Sequence, residues 1–227
     1  MAQSLSDGQK RMLQMFYITV FGKCAKTWDD TEVIDNFTWL HESPTMMHEL
    51  LDLLAFRYSL IDIIDEPVQL DFDCPLDLHC NYTRDQLLIA MDYMTPGNIR
   101  EGVKWLPEKK IDVLMVTLNK SAKEYSPSTM YNDYSINDHL FHWQSQSTTS
   151  EDSPTGQRYI HHIKNGSHVL LFVREFKNEL GGAAPYTFLG PVSYVSHEGS
   201  RPMNIVWKLD KPIPAKYIRT TNQLEVG

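Results

Sequence analysis

The chain has 227 residues, of which 42% are hydrophobic and 22% are charged, an ordinary composition for a globular protein of one large or two small domains. No apolar run reaches the length of a membrane span, and the N-terminus lacks a signal-peptide pattern. Three cysteines are too few to predict a disulfide framework, so we expect a cytoplasmic protein. Because no apolar run is long enough to span a membrane, we also expect no membrane partner.

Charge is distributed unevenly along the chain. Residues 1–100 carry 7 Lys and Arg against 16 Asp and Glu, whereas residues 101–227 carry 14 against 13. The net charge of −8 therefore arises in the first part of the chain, and the second part is close to neutral. Phosphate binding by the second part would need a local cluster of cations, so we expect any such binding to depend only weakly on salt.

Helical patterns dominate the first hundred residues. Ser43 and Pro44 provide a helix start, a capping hydroxyl followed by proline, and Thr83 with Gln86 resembles a capping box. Apolar residues recur at helical spacing in all of the predicted helices. These extend from Met12 to Val20, from Val33 to Leu40, from Pro44 to Ile61 and from Thr83 to Met91.

The turn sequence Thr95-Pro96-Gly97-Asn98 predicts a boundary between two domains. We therefore predict a helical module over residues 1–99 and a β-rich domain over residues 100–227. The pattern after the boundary consists of apolar, branched runs of strand length, with one short helix predicted from Thr155 to Lys164. The predicted strands are Ile111 to Leu118, His139 to Gln146, Val169 to Val173, Tyr186 to Val195 and Asn204 to Leu209.

The predicted fold class is α+β, with the helical module followed by a curved β-sheet or small open barrel and short helices. No ATPase phosphate-binding loop and no G-x-S-x-G nucleophile motif occurs in the sequence. The spacing of Cys74, His79 and Cys80 matches no common zinc pattern. We therefore predict a chain that has no enzymatic activity of its own, no metal and no cofactor.

An aromatic and amide-rich connection from Leu118 to Gln146 joins two of the predicted strands. Its tyrosines can form flat pocket walls for a planar polar ligand such as a nucleobase, with Asp133 as a hydrogen-bonding group. Strand alternation places Phe141 and Trp143 on one face and the intervening residues on the other. If the face of Phe141 is the core face, Trp143 packs in the core as well. Tyr131 or Tyr134, which lie in the connection, is therefore favoured over Trp143 as a stacking ring. The alternative is a half-buried loop whose tyrosines pack on the core.

A series of motifs in the second part of the chain resembles a known family. The motifs occur in one order: Leu118-Asn119-Lys120-Ser121, Tyr125-Ser126-Pro127, Met130-Tyr131, Asp133-Tyr134, Phe141 to Gln146, Ser153 to Tyr159, Leu171 to Arg174, Tyr186 to Gly190 and His197 to Met203. From about Arg100 to Tyr217 the chain is similar to the C-terminal domain of unknown function that follows superfamily II helicase modules. SauUSI-like type IV restriction enzymes, which also contain a phospholipase-D-type nuclease, have this architecture.

The resemblance implies a non-catalytic domain that recognises double-stranded DNA carrying modified cytosine, 5-methylcytosine or 5-hydroxymethylcytosine, by base flipping. It implies a fold like the SRA and PUA domains, and helicase and nuclease modules as partners in cis or in trans. We infer from the motifs which residues contact DNA or the base. The candidates are Tyr125, Tyr131, Asp133, Tyr134, His142, Trp143, Gln144, Gln146, Arg158, His197 and Arg201.

Two other functions are compatible with the sequence. The acidic helical part can dock a helicase or nuclease partner, in which case the chain is a protein-interaction domain and the tyrosines only pack. A metal-dependent nuclease accessory is the other reading, with Asp133, Asp138, His139 and His142 as the ligands.

Overall fold

The computed structural model describes residues 5–60, 68, 70–99, 101–119, 133–179 and 181–218. These residues form two compact units. The first, the helical unit, comprises the described residues up to Asp77 together with Asp85–Gly97. The second, the β unit, comprises Leu78–Arg84 together with the described residues from Asn98 onward. Whether either part of the chain folds alone stays a prediction.

Local capping groups define the helices of the helical unit. In α1 (Asp7–Phe21), Ser6 and Gln9 form a capping box, and the helix ends at Gly22, which has a φ of 72°. In α2 (Thr31–His41), the carboxylate of Asp30 accepts a hydrogen bond from the backbone N–H of Glu32 at 2.9 Å. Both caps satisfy backbone donors that no residue within the helix can reach.

The third helix, α3 (Pro44–Ser59), begins at the predicted Ser-Pro start. The Ser43 hydroxyl donates to the carbonyl of Trp39 at 2.8 Å and makes no capping bond to α3. None of the α3 residues is buried. The fourth helix, α4 (Arg84–Ala90), has four buried apolar residues in succession from Leu87.

Aromatic residues and one ion pair hold the helical unit together. Tyr17 of α1 is 1% exposed and packs among Phe21, Trp28 and Phe37, and its hydroxyl accepts a hydrogen bond from the Asn36 amide at 2.7 Å. Elsewhere on α1, the Arg11 guanidinium lies 2.6 Å from the Asp92 carboxylate and donates to the carbonyl of Asp73 at 2.6 Å. Arg11 therefore ties α1 to two segments distant in sequence.

An open mixed sheet forms the β unit. Its strands are β1 (Asn81–Tyr82), β2 (Val103–Leu106), β3 (Ile111–Thr117), β4 (Tyr134–Ser135), β5 (Leu140–Gln144), β6 (His168–Arg174), β9 (Tyr186–Glu198) and β10 (Asn204–Leu209). They lie in the order β2-β3-β6-β9-β10-β5-β4, and β1 pairs with β9. The strands β7 (Asn178–Glu179) and β8 (Gly182–Ala183) form a separate two-stranded sheet. Only β3 and β6 are parallel among the described pairs; the others are antiparallel.

The main core of the β unit lies under one face of this sheet. Aromatic rings from β5, β10 and helix α5 (Pro154–Ile160) meet there, with Trp143 and Tyr159 at 5.5 Å and Tyr159 and Trp207 at 6.1 Å between centroids. Trp207 is 0% exposed and Tyr159 is 1% exposed. Strands β3 and β6 are buried through their centres because both faces of the sheet are covered there.

The structure confirms the α+β prediction, with N-terminal helices followed by a large sheet and short helices. Among the described residues the sheet ends at β2 and β4 and does not close into a barrel. In the part of the chain that the structure describes, no helix combines the length and apolar character that crossing a membrane requires.

Candidate functional site

The predicted stacking residue Tyr134 lies against His142 on the outer face of the sheet. Tyr134 of β4 pairs directly with His142 of β5, and the two rings stack with 4.6 Å between centroids and 14° between planes. Both residues are partly exposed. We call these two rings the aromatic platform. Because the two rings face each other, a further planar group can extend this stack only from an outer ring face.

Polar residues neighbour the aromatic platform along β5 and just before β4. Gln144 of β5 donates from its side-chain amide to Asn204 of β10 at 3.0 Å. The backbone N–H of Gln144 donates to the Asp133 carboxylate at 2.9 Å, and this bond holds Asp133 beside the strand. Asp133 is 7% exposed. Gln144 and Asn204 thus place two amides on the face of His142, whereas the buried Asp133 adjoins Tyr134 along the chain.

Trp143 lies in the core of the β unit. It is 4% exposed and packs against Tyr159 and Trp207. Burial alternates along β5, with Phe141 and Trp143 buried and His142 between them partly exposed, as strand alternation predicts. Because the ring is buried among other core side chains, we assign Trp143 to the core and not to a base-binding surface.

His197 lies between Tyr194 and Glu151. The Tyr194 hydroxyl lies 2.6 Å from Nδ1 of His197, and Nε2 of His197 lies 3.6 Å from the Glu151 carboxylate. Burial and, secondarily, the charge of Glu151 raise the pKa of Tyr194. Both ring nitrogens of His197 therefore face protein groups.

Arg158 forms a bidentate ion pair with Asp112 beneath the sheet. The guanidinium donates to the two carboxylate oxygens at 2.7 and 2.9 Å, and the Asp112 side chain is 0% exposed. The same guanidinium lies 4.3 Å from the ring centroid of Trp105. Arg158 is thus fixed by an ion pair and a cation–π contact at once.

The remaining predicted residues lie in several places. Tyr125 and Tyr131 lie outside the described residues. Gln146 donates to the Glu101 carboxylate at 2.9 Å, which joins the end of β5 to the segment before β2. Arg201 is exposed, and its backbone N–H donates to the carbonyl of Thr149 at 3.1 Å. Of the predicted set, the structure brings together Asp133, Tyr134, His142 and Gln144.

Comparison with known families gives a match for the β unit and α4. The model of a family described as a domain of unknown function, DUF3427, matches residues 76–220. The chain belongs to this family. Among curated proteins, none matches the chain. The match agrees with the resemblance of the motifs to a domain of unknown function. That this domain is part of a type IV restriction enzyme stays a prediction.

The DUF3427 match begins before the Arg100 limit of the predicted resemblance and includes β1 and α4. Within the DUF3427 domain, the structure adds residues that sequence patterns did not single out. Asp112 and Trp105 surround Arg158, and Asn204 completes the amide pair with Gln144. The signal that could have identified Asp112 is its place inside an apolar strand, because a buried acidic residue needs a partner.

Proposed function

We propose that the DUF3427 domain of this chain recognises double-stranded DNA carrying modified cytosine and has no catalytic role in doing so. The modification would be 5-methylcytosine or 5-hydroxymethylcytosine, and the domain would be the target-recognition part of a modification-dependent restriction system. The observation that supports this best is the stacked, partly exposed pair of rings in the aromatic platform, Tyr134 on His142.

The chemistry of the aromatic platform suits a flipped cytosine. Extruding a base from duplex DNA costs a few kcal/mol, which stacking on an aromatic ring and hydrogen bonds to the base edge would offset. The exocyclic amine of cytosine needs an acceptor. We assign this role to the carboxylate of Asp133, which directly precedes Tyr134 in the chain. The amides of Gln144 and Asn204 supply donors and acceptors for the rest of the edge or for the sugar.

Titration with modified and plain duplexes tests this function. The substitution Tyr134→Ala should weaken binding to methylated duplex by about 1–3 kcal/mol and remove the preference over plain duplex. Fluorescence anisotropy with otherwise identical methylated, hydroxymethylated and plain duplexes measures both effects. Tyr58→Ala is the matched control, because Tyr58 is 65% exposed on α3 of the helical unit. Equal affinity of the parent chain for all three duplexes would overturn the proposal.

A second candidate function, docking of a helicase or nuclease partner, is favoured by α3. Its exposed apolar side chains include Leu51, Leu54 and Phe56, which are 57%, 51% and 58% exposed. An apolar groove of about 290 Å³ lies beside it, lined by residues of α1, α2 and α3. A helix that is apolar on most sides is ordinarily covered by protein, and the acidic surroundings would select a partner with basic flanks.

Sedimentation with purified superfamily II helicase and phospholipase-D-type nuclease modules tests the docking function. Leu51→Lys combined with Phe56→Lys should abolish a complex that the parent chain forms. Met12→Lys is the control, since Met12 is 56% exposed on α1 and does not line the groove. If the parent chain binds neither module, the docking function is wrong.

A further inference from the structure

A cleft of about 550 Å³ lies on the β unit, away from the aromatic platform. Trp105 of β2, Lys110 before β3, Arg158 of α5 and Lys164 after α5 contribute to its walls. The other polar residues of the lining are Gln157, His161, Asn165 and Ser167. We call this feature the cationic cleft.

The charged residues that line the cationic cleft are all cations. Three of its lining residues are Lys or Arg, and no carboxylate lines it among the described residues. The charge of Arg158 is largely balanced by Asp112, to which it is bonded at 2.7 Å. Lys110 and Lys164 remain as the two exposed cations at its rim. A concave surface of one sign concentrates ions of the opposite sign.

The backbone holds the two lysines in place. Lys110 has a φ of 53°, in the left-handed region, and its N–H donates to the carbonyl of Pro107 at 3.1 Å. Its carbonyl accepts from the N–H of His168 at 2.9 Å. Beyond Lys164, the turn at Gly166 has a φ of 60°, where glycine is favoured. Fixed turns reduce the entropy that the lysines lose when they bind an anion.

We propose that the cationic cleft binds phosphate, and that its ligand is a backbone phosphate of the duplex that the domain recognises. The second clause rests on the proposed function, whereas the first rests on the cleft alone. Lys110 and Lys164 make the charged contacts, with the exposed side-chain amide of Gln157 as a neutral donor, whereas the hydroxyl of Ser167 donates to the carbonyl of His162. Arg158 keeps its bond to Asp112, so it shapes the cleft together with Trp105.

The salt dependence of DNA binding measures these contacts directly. Each phosphate contact contributes about 0.9 to the slope of log affinity against log salt for duplex DNA. The double substitution Lys110→Gln and Lys164→Gln removes the contacts to one phosphate, so it should lower the slope by about 0.9 and weaken binding to modified and plain duplexes by the same factor. The control is Lys26→Gln with Lys211→Gln, which removes the same charge from exposed positions outside the cleft.

The outcomes separate the cationic cleft from the proposed function. An unchanged slope in the Lys110 and Lys164 variant, with the parent chain bound to DNA, overturns the inference. If the parent chain has equal affinity for modified and plain duplexes but the slope falls as expected, the cleft stands and the proposed function fails.

Inorganic phosphate decides the case in which the chain does not bind duplex at all. Thermal unfolding of the parent chain in phosphate should then occur at a higher temperature than in chloride of equal ionic strength, because a ligand of the native state stabilises it. The shift should disappear in the Lys110 and Lys164 variant and persist in the control. An equal melting temperature in the two salts would overturn phosphate binding at the cationic cleft.

Discussion

The ion pair of Asp112 and Arg158 shows how one buried charge depends on its partner. Burial raises the pKa of Asp112, while the hydrogen bond and charge of Arg158 lower it again, and the net direction is upward. Burial works to lower the pKa of Arg158, but its bonds to Asp112 raise it overall. Two such groups contribute little net stability as a pair, yet removing one partner leaves an uncompensated charge in the core.

We predict that Arg158→Met destabilises the protein by about 3–5 kcal/mol near neutral pH. A raised pKa means that the native state holds the Asp112 proton to a higher pH than the unfolded chain does, so this group favours folding at low pH and opposes it above its native pKa. Without Arg158 the pKa rises further, so the deficit should shrink as pH falls. Urea unfolding at several pH values measures this.

The double variant Asp112→Asn with Arg158→Met is the control for that experiment. It removes the buried charge together with its partner, so it should recover most of the stability that Arg158→Met loses. A double variant as unstable as the single one would show that Arg158 stabilises through its packing on Trp105 instead.

His162 gives a second pH dependence, of opposite sign. It is 3% exposed; its Nε2 accepts from the N–H of Tyr194 at 3.1 Å, and its Nδ1 lies 3.2 Å from the carbonyl of Ser167. Burial lowers the pKa of His162 below its ordinary 6.5. The native state therefore resists protonation, and the stability present above pH 6.5 is lost as pH falls towards the native pKa.

We predict that His162→Gln flattens this acid dependence. Gln keeps an acceptor for the Tyr194 N–H and cannot be protonated. Below the pKa of His162 in the unfolded chain, the free energy of unfolding of the parent chain should fall by up to about 1.4 kcal/mol per pH unit because of this one group. The variant should lack this contribution. Chemical unfolding at pH 7.5 and below pH 6 makes the comparison. Parallel stability curves for the two proteins would contradict the assignment to His162.

At the scale of elements, long periodic segments were predictable and short paired ones were not. The pattern from Pro44 predicted α3, and the apolar runs predicted β3 and β6, because each segment carries its own signal over several residues. The two-residue strands β1 and β4 carry no such signal. They exist because β9 and β5 supply partners for their backbone groups, which only the folded chain reveals.

In the candidate site, too, some features could be predicted from the sequence and others could not. Alternation along β5 predicted that His142 and Gln144 would share the face opposite Trp143, as the structure shows. The stack of Tyr134 on His142 depends on the register of β4 with β5, and the bond of Arg158 to Asp112 joins residues 46 apart. Such pairings depend on tertiary structure, and sequence spacing carries no information about them.

Helix α5 gives a prediction in which packing opposes helix propensity. Replacing glycine by alanine inside a helix ordinarily stabilises it by up to about 1 kcal/mol. A Cβ on Gly156, however, would lie 2.1 Å from the carbonyl oxygen of Ser150 and 3.0 Å from the sulfur of Met203. The backbone of Ser150 would have to move, so we expect Gly156→Ala to destabilise the protein by about 1–3 kcal/mol.

Gly97→Ala is the control for the α5 prediction, because a Cβ there meets nothing within 4 Å. Thermal unfolding of the two variants compares packing with propensity directly. A Gly156→Ala variant as stable as the parent chain would mean that the loop at Ser150 moves away from α5 without cost.

At the scale of the whole molecule, the chain passes between its two units more than once. Leu78–Arg84 belongs to the β unit although the residues on both sides of it belong to the helical unit. This segment includes β1, which pairs with β9. It also includes Leu78, which is 4% exposed and packs so closely on Gly190 that a Cβ there would lie 2.7 Å from the Leu78 side chain. The DUF3427 match begins just before this segment, at residue 76.

We therefore predict that a fragment beginning at residue 76 is more stable than one beginning at residue 100. The shorter fragment loses the bond from the N–H of His79 to the carbonyl of Phe188 at 2.8 Å and the bond from the N–H of Phe188 to the carbonyl of Cys80 at 3.0 Å. It also loses the burial of Leu78, which is worth about 1.5–3 kcal/mol. Differential scanning calorimetry of both fragments should show a cooperative transition for the longer one and a lower or broader transition for the shorter one. Equal transitions would mean that the sheet is complete without β1, and a broad transition for both would mean that the helical unit is required for cooperative folding.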